Sequence, residues 1–335
     1  MEIAIEHIST KGDHIRDKPL TEIGGDGVFV KEIEHGLHQK RIDLAVHSLK
    51  DLPTVQPEDL RIAVVGPRED VRDVLVTNVA RHPLHSWLPV PRTGFPQGVS
   101  CPPDRVPLQF ESAPRVGVFP NQEMSPDSEH APLRIGTCSL RRAAQIRALL
   151  TNAQILPLRG NVDTRLRKLE VGEYDAILLA AAGLHRLALQ ECLADRIVYL
   201  PVDVMMPAPG QGALALEMRN EEEIQTLIAS LENNVVQAAT GAERMFMRRL
   251  GAGCYLPVAA YGEIVNGMLT LQGLVISLDG QRQVRVQHSM RWTSQSAIED
   301  AEQLGIQLAE QALAQGAAEI IAALGIGRIQ ENQYV

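Results

Sequence analysis

The chain has 335 residues, a formal net charge of −9 and 45% hydrophobic residues, enough for two or three domain cores. Aromatic residues make up only 4%, and with the acidic balance this excludes a base-stacking nucleic-acid surface. No apolar run reaches spanning length, no signal-peptide pattern opens the chain, and Cys101, Cys138, Cys192 and Cys254 stand far apart without metal-ligand spacing, so a soluble cytoplasmic protein with no membrane partner and no metal is expected.

Residues 2–9 (EIAIEHIS) alternate and predict a strand. The loop with Gly24, Gly25 and Gly27 lacks the Lys-Ser/Thr of a phosphate-binding loop, and reads as a flexible lid before a helix over about 28–39. An apolar strand over 42–47 then runs into Ser48-Leu49-Lys50-Asp51-Leu52-Pro53. A Lys-Asp pair at the carboxyl end of a strand sits where open α/β sheets bind ligands, although a lone Asp there is as readily a turn cap. A further strand, the turn REDVRD (68–73) and a short apolar run follow. Residues from about 80 to 132 are rich in proline and polar residues without periodicity, which predicts a poorly ordered insertion with Cys101 incidental to it.

The stretch 134–186 carries eight Arg and one Lys against four acidic residues, a surplus of five in an acidic chain. Such a block points to an anionic ligand. Its placing sharpens the point. A strand ends near Thr137, Ser139 is a good N-cap, and Arg141 and Arg142 fall in the first helical turn, where cations oppose the helix dipole unless an anion sits among them. The pattern recurs, with a strand over 154–158 running into Arg159-Gly160-Asn161 and a helix carrying Arg165, Arg167 and Lys168. A strand over 175–182 then leads to Arg186 near the next helix start. Arg147, Arg167 and Lys168 read as solvated; Arg141, Arg142, Arg159 and Arg165 sit beside turns and read as a carboxylate site.

Beyond it, 200–212 is a crossing segment and 213–218 a strand returning to the first domain. A helix from about 234, three alternating strands and helices over 296–316 and ending near 324 make a small α+β third domain. Cys254 lies on a glycine-rich loop after Arg248 and Arg249, whose charge favours thiolate, but no histidine base is near in sequence, and a lone Cys is ordinarily a small buried hydrophobe.

The runs HSLKDLP, RIGTCSLRR, LRGNVDTRLRKL, YDAILLAAAGLHRL and PGQGALALE resemble the porphobilinogen deaminase (hydroxymethylbilane synthase) family over nearly the whole chain outside the insertion and the amino end. The resemblance implies an α/β fold of two periplasmic-binding-protein-like lobes with parallel-rich sheets and a small α+β third domain. Residues 1–80 and 207–230 would form the first lobe, 133–206 the arginine-rich second, and 235–330 the third domain, with 81–132 the insertion. It implies a transferase of tetrapyrrole (heme) biosynthesis that condenses four porphobilinogen molecules head to tail, with loss of ammonia, through a positively charged azafulvene-like species. By the same resemblance Asp51 is the catalytic carboxylate, and Cys254 carries a dipyrromethane cofactor as a thioether. Ser48, Lys50, Thr137, Ser139, Arg141, Arg142, Arg159, Arg165, Arg186 and Gln211 would hold the carboxylates of the cofactor and growing chain. The family's glycine loop commonly has a lysine where Asp26 stands here, so no carboxylate role is given to it. A monomer is implied, and no nucleotide.

Two rival readings remain. One is a non-catalytic two-lobe anion-binding protein, needing neither Asp51 nor Cys254. The other is an inactive copy, because the family begins with a strand and helix that this sequence lacks. That strand is expected between 2–9 and the strand before Ser48, and its loss would leave backbone groups unpaired at roughly 1–3 kcal/mol each.

Overall fold

The computed structural model describes residues 3–8, 10, 30–78, 132–251 and 256–324. The glycine loop at 24–27, the insertion over 81–131 with Cys101, and Cys254 all lie outside the described residues.

Three sheets organise the chain. The first has the order β1-β8-β2, with β1 Leu44–Ser48, β2 Leu60–Val65 and β8 Leu214–Arg219. The returning strand β8 lies in the middle and runs antiparallel to both neighbours, Ala45 and Ile62 standing opposite Glu217. One face packs under helix α1 (Lys31–His38) through Leu37, Ala45 and Leu60. The other packs under α5 (Glu222–Ile228) through Ala63, Leu216, Met218, Ile224 and Ile228. The helix expected over about 28–39 is thus present, over Lys31–His38 among the described residues.

Residues 3–8 form no strand, contrary to the reading of their alternation, and Ile3 and Ile5 are 74% and 83% exposed. Alternation marks a strand only where a neighbouring ladder takes the backbone hydrogen bonds, and among the described residues these lie against none. β1 is an edge strand with Val46 69% exposed.

The second sheet has five strands in the order β5-β4-β6-β3-β7: β3 Asp73–Thr77, β4 Leu133–Gly136, β5 Ala153–Leu156, β6 Ala176–Ala180 and β7 Ile197–Leu200. β4 runs parallel to β5 and β6, and β3 runs antiparallel to β6 and β7. Every residue of β3 is buried, which its apolar run VLVT between two inner faces requires. The first lobe, drawn from sequence as reaching residue 80, therefore ends earlier, because Asp73–Thr77 belongs to the sheet of the second. Helix α2 (Leu140–Leu149) covers one face; α3 (Val162–Glu170) and α4 (Ala181–Arg186) cover the other.

The third sheet is an antiparallel meander in the order β11-β10-β9, with β9 Val258–Val265, β10 Met268–Ile276 and β11 Gln283–Arg291. It packs on α6 (Asn234–Arg249) and α7 (Ile298–Ala312) around Phe246, Leu271, Trp292 and Leu308. Gly305 lets α7 press onto α6, since a Cβ there would overlap the Ala242 carbonyl oxygen. A kink at Gly316 (φ 101°) separates α7 from α8 (Ala318–Ala322). Among the described residues no helix is long and apolar enough to cross a membrane.

Two strands of chain, 66–72 and 201–213, connect the first two sheets. They meet where Glu69 N–H donates to Gly212 O at 3.0 Å.

Candidate active site

β1 ends at Ser48 and tightens into a single 3-10 turn, Leu49–Asp51. Leu49, 1% exposed, anchors the turn in the core, while Lys50 is half-buried and Asp51 exposed. The turn is held from two sides. Leu49 N–H donates to Ala213 O at 3.0 Å. Arg244, on α6 of the third domain, donates to the carbonyls of Leu49 (3.4 Å), Leu52 (3.2 Å) and Pro53 (2.5 Å). One guanidinium thus collects three carbonyls that the turn leaves without ladder partners.

Across from this turn, β4 ends and α2 begins. Ser139 caps α2, its hydroxyl accepting from Arg142 N–H, as the sequence predicted. Thr137 is buried and its Oγ1 accepts from Ser139 N–H. Arg141 and Arg142 are only 5% and 6% exposed. The anion required beside them is supplied by the chain itself. Asp73, fully buried at the start of β3, accepts from Arg141 Nη1 (2.6 Å) through Oδ2, and from Arg142 Nε (3.0 Å) and Nη2 (2.8 Å) through Oδ1. Arg141 Nη1 also reaches Met206 O, and Arg142 Nη1 reaches Leu178 O. Arg141 Nε is buried with no hydrogen-bond partner among the described residues. Burial pushes the Asp73 carboxyl up, but Arg141, Arg142 and the hydrogen bonds from Arg141 and Gln211 overcome it and hold the group far below the usual carboxylate range.

Gln211 joins the two sides. Its Nε2 donates to Asp73 Oδ1 (3.0 Å) and Val71 O (2.7 Å), and its Oε1 accepts from Lys50 Nζ (3.3 Å). Burial lowers the Lys50 pKa to about 8; Arg142 and Arg141 push the same way, with Asp51 and Asp73 opposing.

On the next loop Asn161 caps α3, accepting from Thr164 N–H. Arg165 turns its Nε back to Gly160 O at 2.7 Å. Among the described residues Arg165 has no ion pair, and burial, then Arg142, lowers its pKa while Cys138 and Asp51 oppose and Arg159 adds to the lowering. Arg165 therefore stands within electrostatic reach of Asp51, Arg142 and Arg159.

The structure thus brings Lys50, Asp51, Gln211, Arg141, Arg142 and Arg165 to one seam between the first two sheets, with Ser48, Thr137 and Ser139 on the turns that border it and Arg159 on the loop before α3. Arg186 differs from expectation. It lies in the last turn of α4, not near a helix start, is exposed, and donates to Gly212 O at 2.8 Å. The strand before it stops at Ala180, so the helix begins a turn earlier than the apolar run suggests. Asp73 and Arg244 were not legible in sequence. Asp73 closes a charged turn, REDVRD, and resembles surface; Arg244 is one of several arginines on an amphipathic helix.

Donors outnumber acceptors at this seam, and two of them, Arg165 and Arg141 Nε, lack a carboxylate partner among the described residues. This is the chemistry of a site for a ligand with several carboxylates.

Comparison with known proteins agrees. Residues 1–90 and 114–226 match a model described as "Porphobilinogen deaminase, dipyromethane cofactor binding domain", and 238–314 match its C-terminal domain. A porphobilinogen deaminase of Syntrophotalea carbinolica is 42% identical over 97% of this chain and 87% of its own length. Those of a Roseiflexus species and of Deinococcus radiodurans are 38% and 39% identical, each over 96% of this chain and 88% of theirs. A periplasmic sulfonate-binding protein of Methylobacillus flagellatus aligns at a TM-score of 0.26 and 8% identity, over 64% of this chain and 51% of that one, too slight a likeness to bear on the fold. By both family models, and by relatives at this identity along almost its whole length, the chain belongs to the porphobilinogen deaminase family.

Proposed function

We propose that the protein condenses four porphobilinogen molecules head to tail into hydroxymethylbilane, as a transferase of tetrapyrrole biosynthesis, with Asp51 as its catalytic carboxylate. The observation that carries the reading is the seam, where one exposed carboxylate stands among cationic groups. The donor set fits a dipyrromethane, whose acetate and propionate groups match Arg165, Lys50 and the unpartnered Nε of Arg141. When bound, dipyrromethane supplies the primer to which pyrroles are added. Cys254 is its proposed attachment point and lies outside the described residues.

The chain's own residues then act as follows. Lys50, Arg159, Arg165 and the Arg141–Arg142 pair, with the hydroxyls of Ser48, Thr137 and Ser139, orient the pyrrole carboxylates; Gln211 and Arg186 brace the crossing segment beside them. Each cycle breaks the aminomethyl C–N bond of the substrate and the free α C–H bond of the accepting pyrrole, forms one C–C bond and releases ammonia, which carries off the displaced proton; water supplies the hydroxyl when the finished tetrapyrrole is released. Asp51, negative and held at the turn by Arg244, stabilises the positive charge that develops on the substrate pyrrole as the amine leaves, and helps move its protons. A cytoplasmic monomer completes the proposal.

The test is intact mass together with bilane formation from porphobilinogen. Expected are a dipyrromethane adduct that Cys254→Ser abolishes, and conversion of porphobilinogen to bilane by the unsubstituted protein. An adduct retained on Cys254→Ser, or found on Cys138, overturns the attachment; no bilane from adduct-bearing protein overturns the activity.

A further inference from the structure

The mechanism above needs Lys50 of the first lobe and the Arg141–Arg142 pair of the second to face one ligand at the same time. They stand on different sheets, joined by two connecting strands of chain. A single buried group touches, directly or through one side chain, all three. Asp73 is 0% exposed. It spends Oδ2 on Arg141 and Oδ1 on both Arg142 nitrogens and on Gln211 Nε2.

The orientation of the Gln211 amide is fixed by chemistry. Asp73 Oδ1 and Val71 O can only accept, so the amide nitrogen must face them, and Oε1 is then left to face the Lys50 ammonium, which can only donate. Gln211 is itself 1% exposed, and Arg68 Nε donates to its carbonyl at 3.0 Å, so its backbone has little room to shift.

We propose that Asp73 is a positioning residue of this site: its carboxylate sets the Arg141–Arg142 pair and, through the Gln211 amide, fixes Lys50 across the seam. The inference rests on the reading of the seam as the condensation site. Asp73 touches no substrate atom; it acts through the groups it orients. Two arginines sharing one carboxylate retain a single net positive charge and restricted rotamers, which presents the remaining donors, Arg141 Nε among them, in one arrangement rather than many. The shifts agree with the geometry, since Asp73 opposes the lowering of the Lys50 pKa that burial and the two arginines cause.

Two variants test it. Asp73→Asn keeps the shape and removes the charge. Gln211→Met keeps the volume and removes the amide while leaving the Asp73–arginine pairs in place. The first readout needs no bound cofactor: titration of Lys50, followed by NMR of protein carrying 13C-labelled lysine and assigned by Lys50→Arg. Both variants are expected to move the Lys50 titration below its value in the unsubstituted protein, the first by loss of a neighbouring negative charge, the second by loss of the acceptor. The second readout is kinetic: KM for porphobilinogen rises about tenfold or more while kcat changes less, the mark of lost ground-state positioning. A Lys50 titration that stays in place in either folded variant overturns the proposal. Should Asp73→Asn fail to fold, Gln211→Met alone decides. Should the unsubstituted protein form no bilane, the activity reading fails while the Lys50 titration still decides this one.

Discussion

Burial, aided by Arg142 and Arg141 against the opposing charges of Asp51 and Asp73, holds the Lys50 ammonium at about 8, where an ordinary lysine titrates near 10.5. Between those values the unfolded chain binds the proton and the folded chain does not, so this group's contribution to stability rises with pH from about 8 to 10.5 and is unfavourable below 8. Lys50→Met should therefore stabilise the cofactor-free protein by about 1–3 kcal/mol at pH 7, a gain that fades as pH rises towards 10. Urea unfolding at a series of pH values checks it, and a gain independent of pH would contradict the shift. Function runs the other way, since an anionic ligand needs the ammonium form. Asp51 offers the complementary test. Asp51→Asn keeps the turn, whose anchors are Leu49 and Arg244, but removes the charge. Elongation on adduct-bearing protein is expected to slow by about 100-fold or more, with the turn still folded. Elongation near the unsubstituted rate would remove Asp51 from its proposed role.

At the scale of elements, the crossing segments decide how the two sheets meet, and Gly212 is their closest approach. Its φ is +86°, and a Cβ would overlap the Glu69 carbonyl oxygen. Gly212→Ala combines left-handed strain with that overlap and should cost about 2–4 kcal/mol, while Gly172→Ala, with φ +77° but open space around it, should cost only about 1. Denaturant midpoints of the two variants separate overlap from strain, and equal losses would contradict the close approach. The Gly212–Glu69 contact could not be read in the sequence, because it joins chain segments more than a hundred residues apart. What could be read was local. Ser139 and Asn161 announce helix starts through their caps, and the three strands of the third domain announce themselves by alternation. Where alternation lacked a neighbour, at residues 3–8, the same rule misled. The seam was legible as a cluster of arginines beside turns. Its internal counter-ion was not, since Asp73 lies 68 residues before Arg141 and opens an apolar strand.

At the scale of the whole molecule, one carboxylate ties three parts together. Glu243, 0% exposed on α6, takes Arg68 in a two-pronged pair, Oε1 from Nη1 at 2.7 Å and Oε2 from Nη2 at 3.0 Å. The same two oxygens accept Gly262 N–H from β9 (2.7 Å) and Gly210 N–H from the crossing segment (2.7 Å). Arg68, from the other crossing segment, adds bonds to Gln211 O and Gly262 O and lies over the Tyr261 ring at 5.6 Å. Four donors converge on a group that only accepts. Glu243→Gln preserves volume but places an amide N–H against donors and leaves a buried guanidinium without its counter-charge, so a loss of about 3–5 kcal/mol is expected. The loss should be spread across the junction rather than confined to one sheet, because the third domain keeps its own core around Phe246 and Trp292. Calorimetry should therefore show the third domain unfolding apart from the lobes in Glu243→Gln, where the unsubstituted protein unfolds more nearly together. The exposed pair between Arg249 and Glu310, on α6 and α7, serves as the control, and Glu310→Gln should change stability by less than about 1 kcal/mol. If Glu243→Gln unfolds in the same pattern as the unsubstituted protein, with a loss no larger than that control, this junction does not hold the third domain to the lobes.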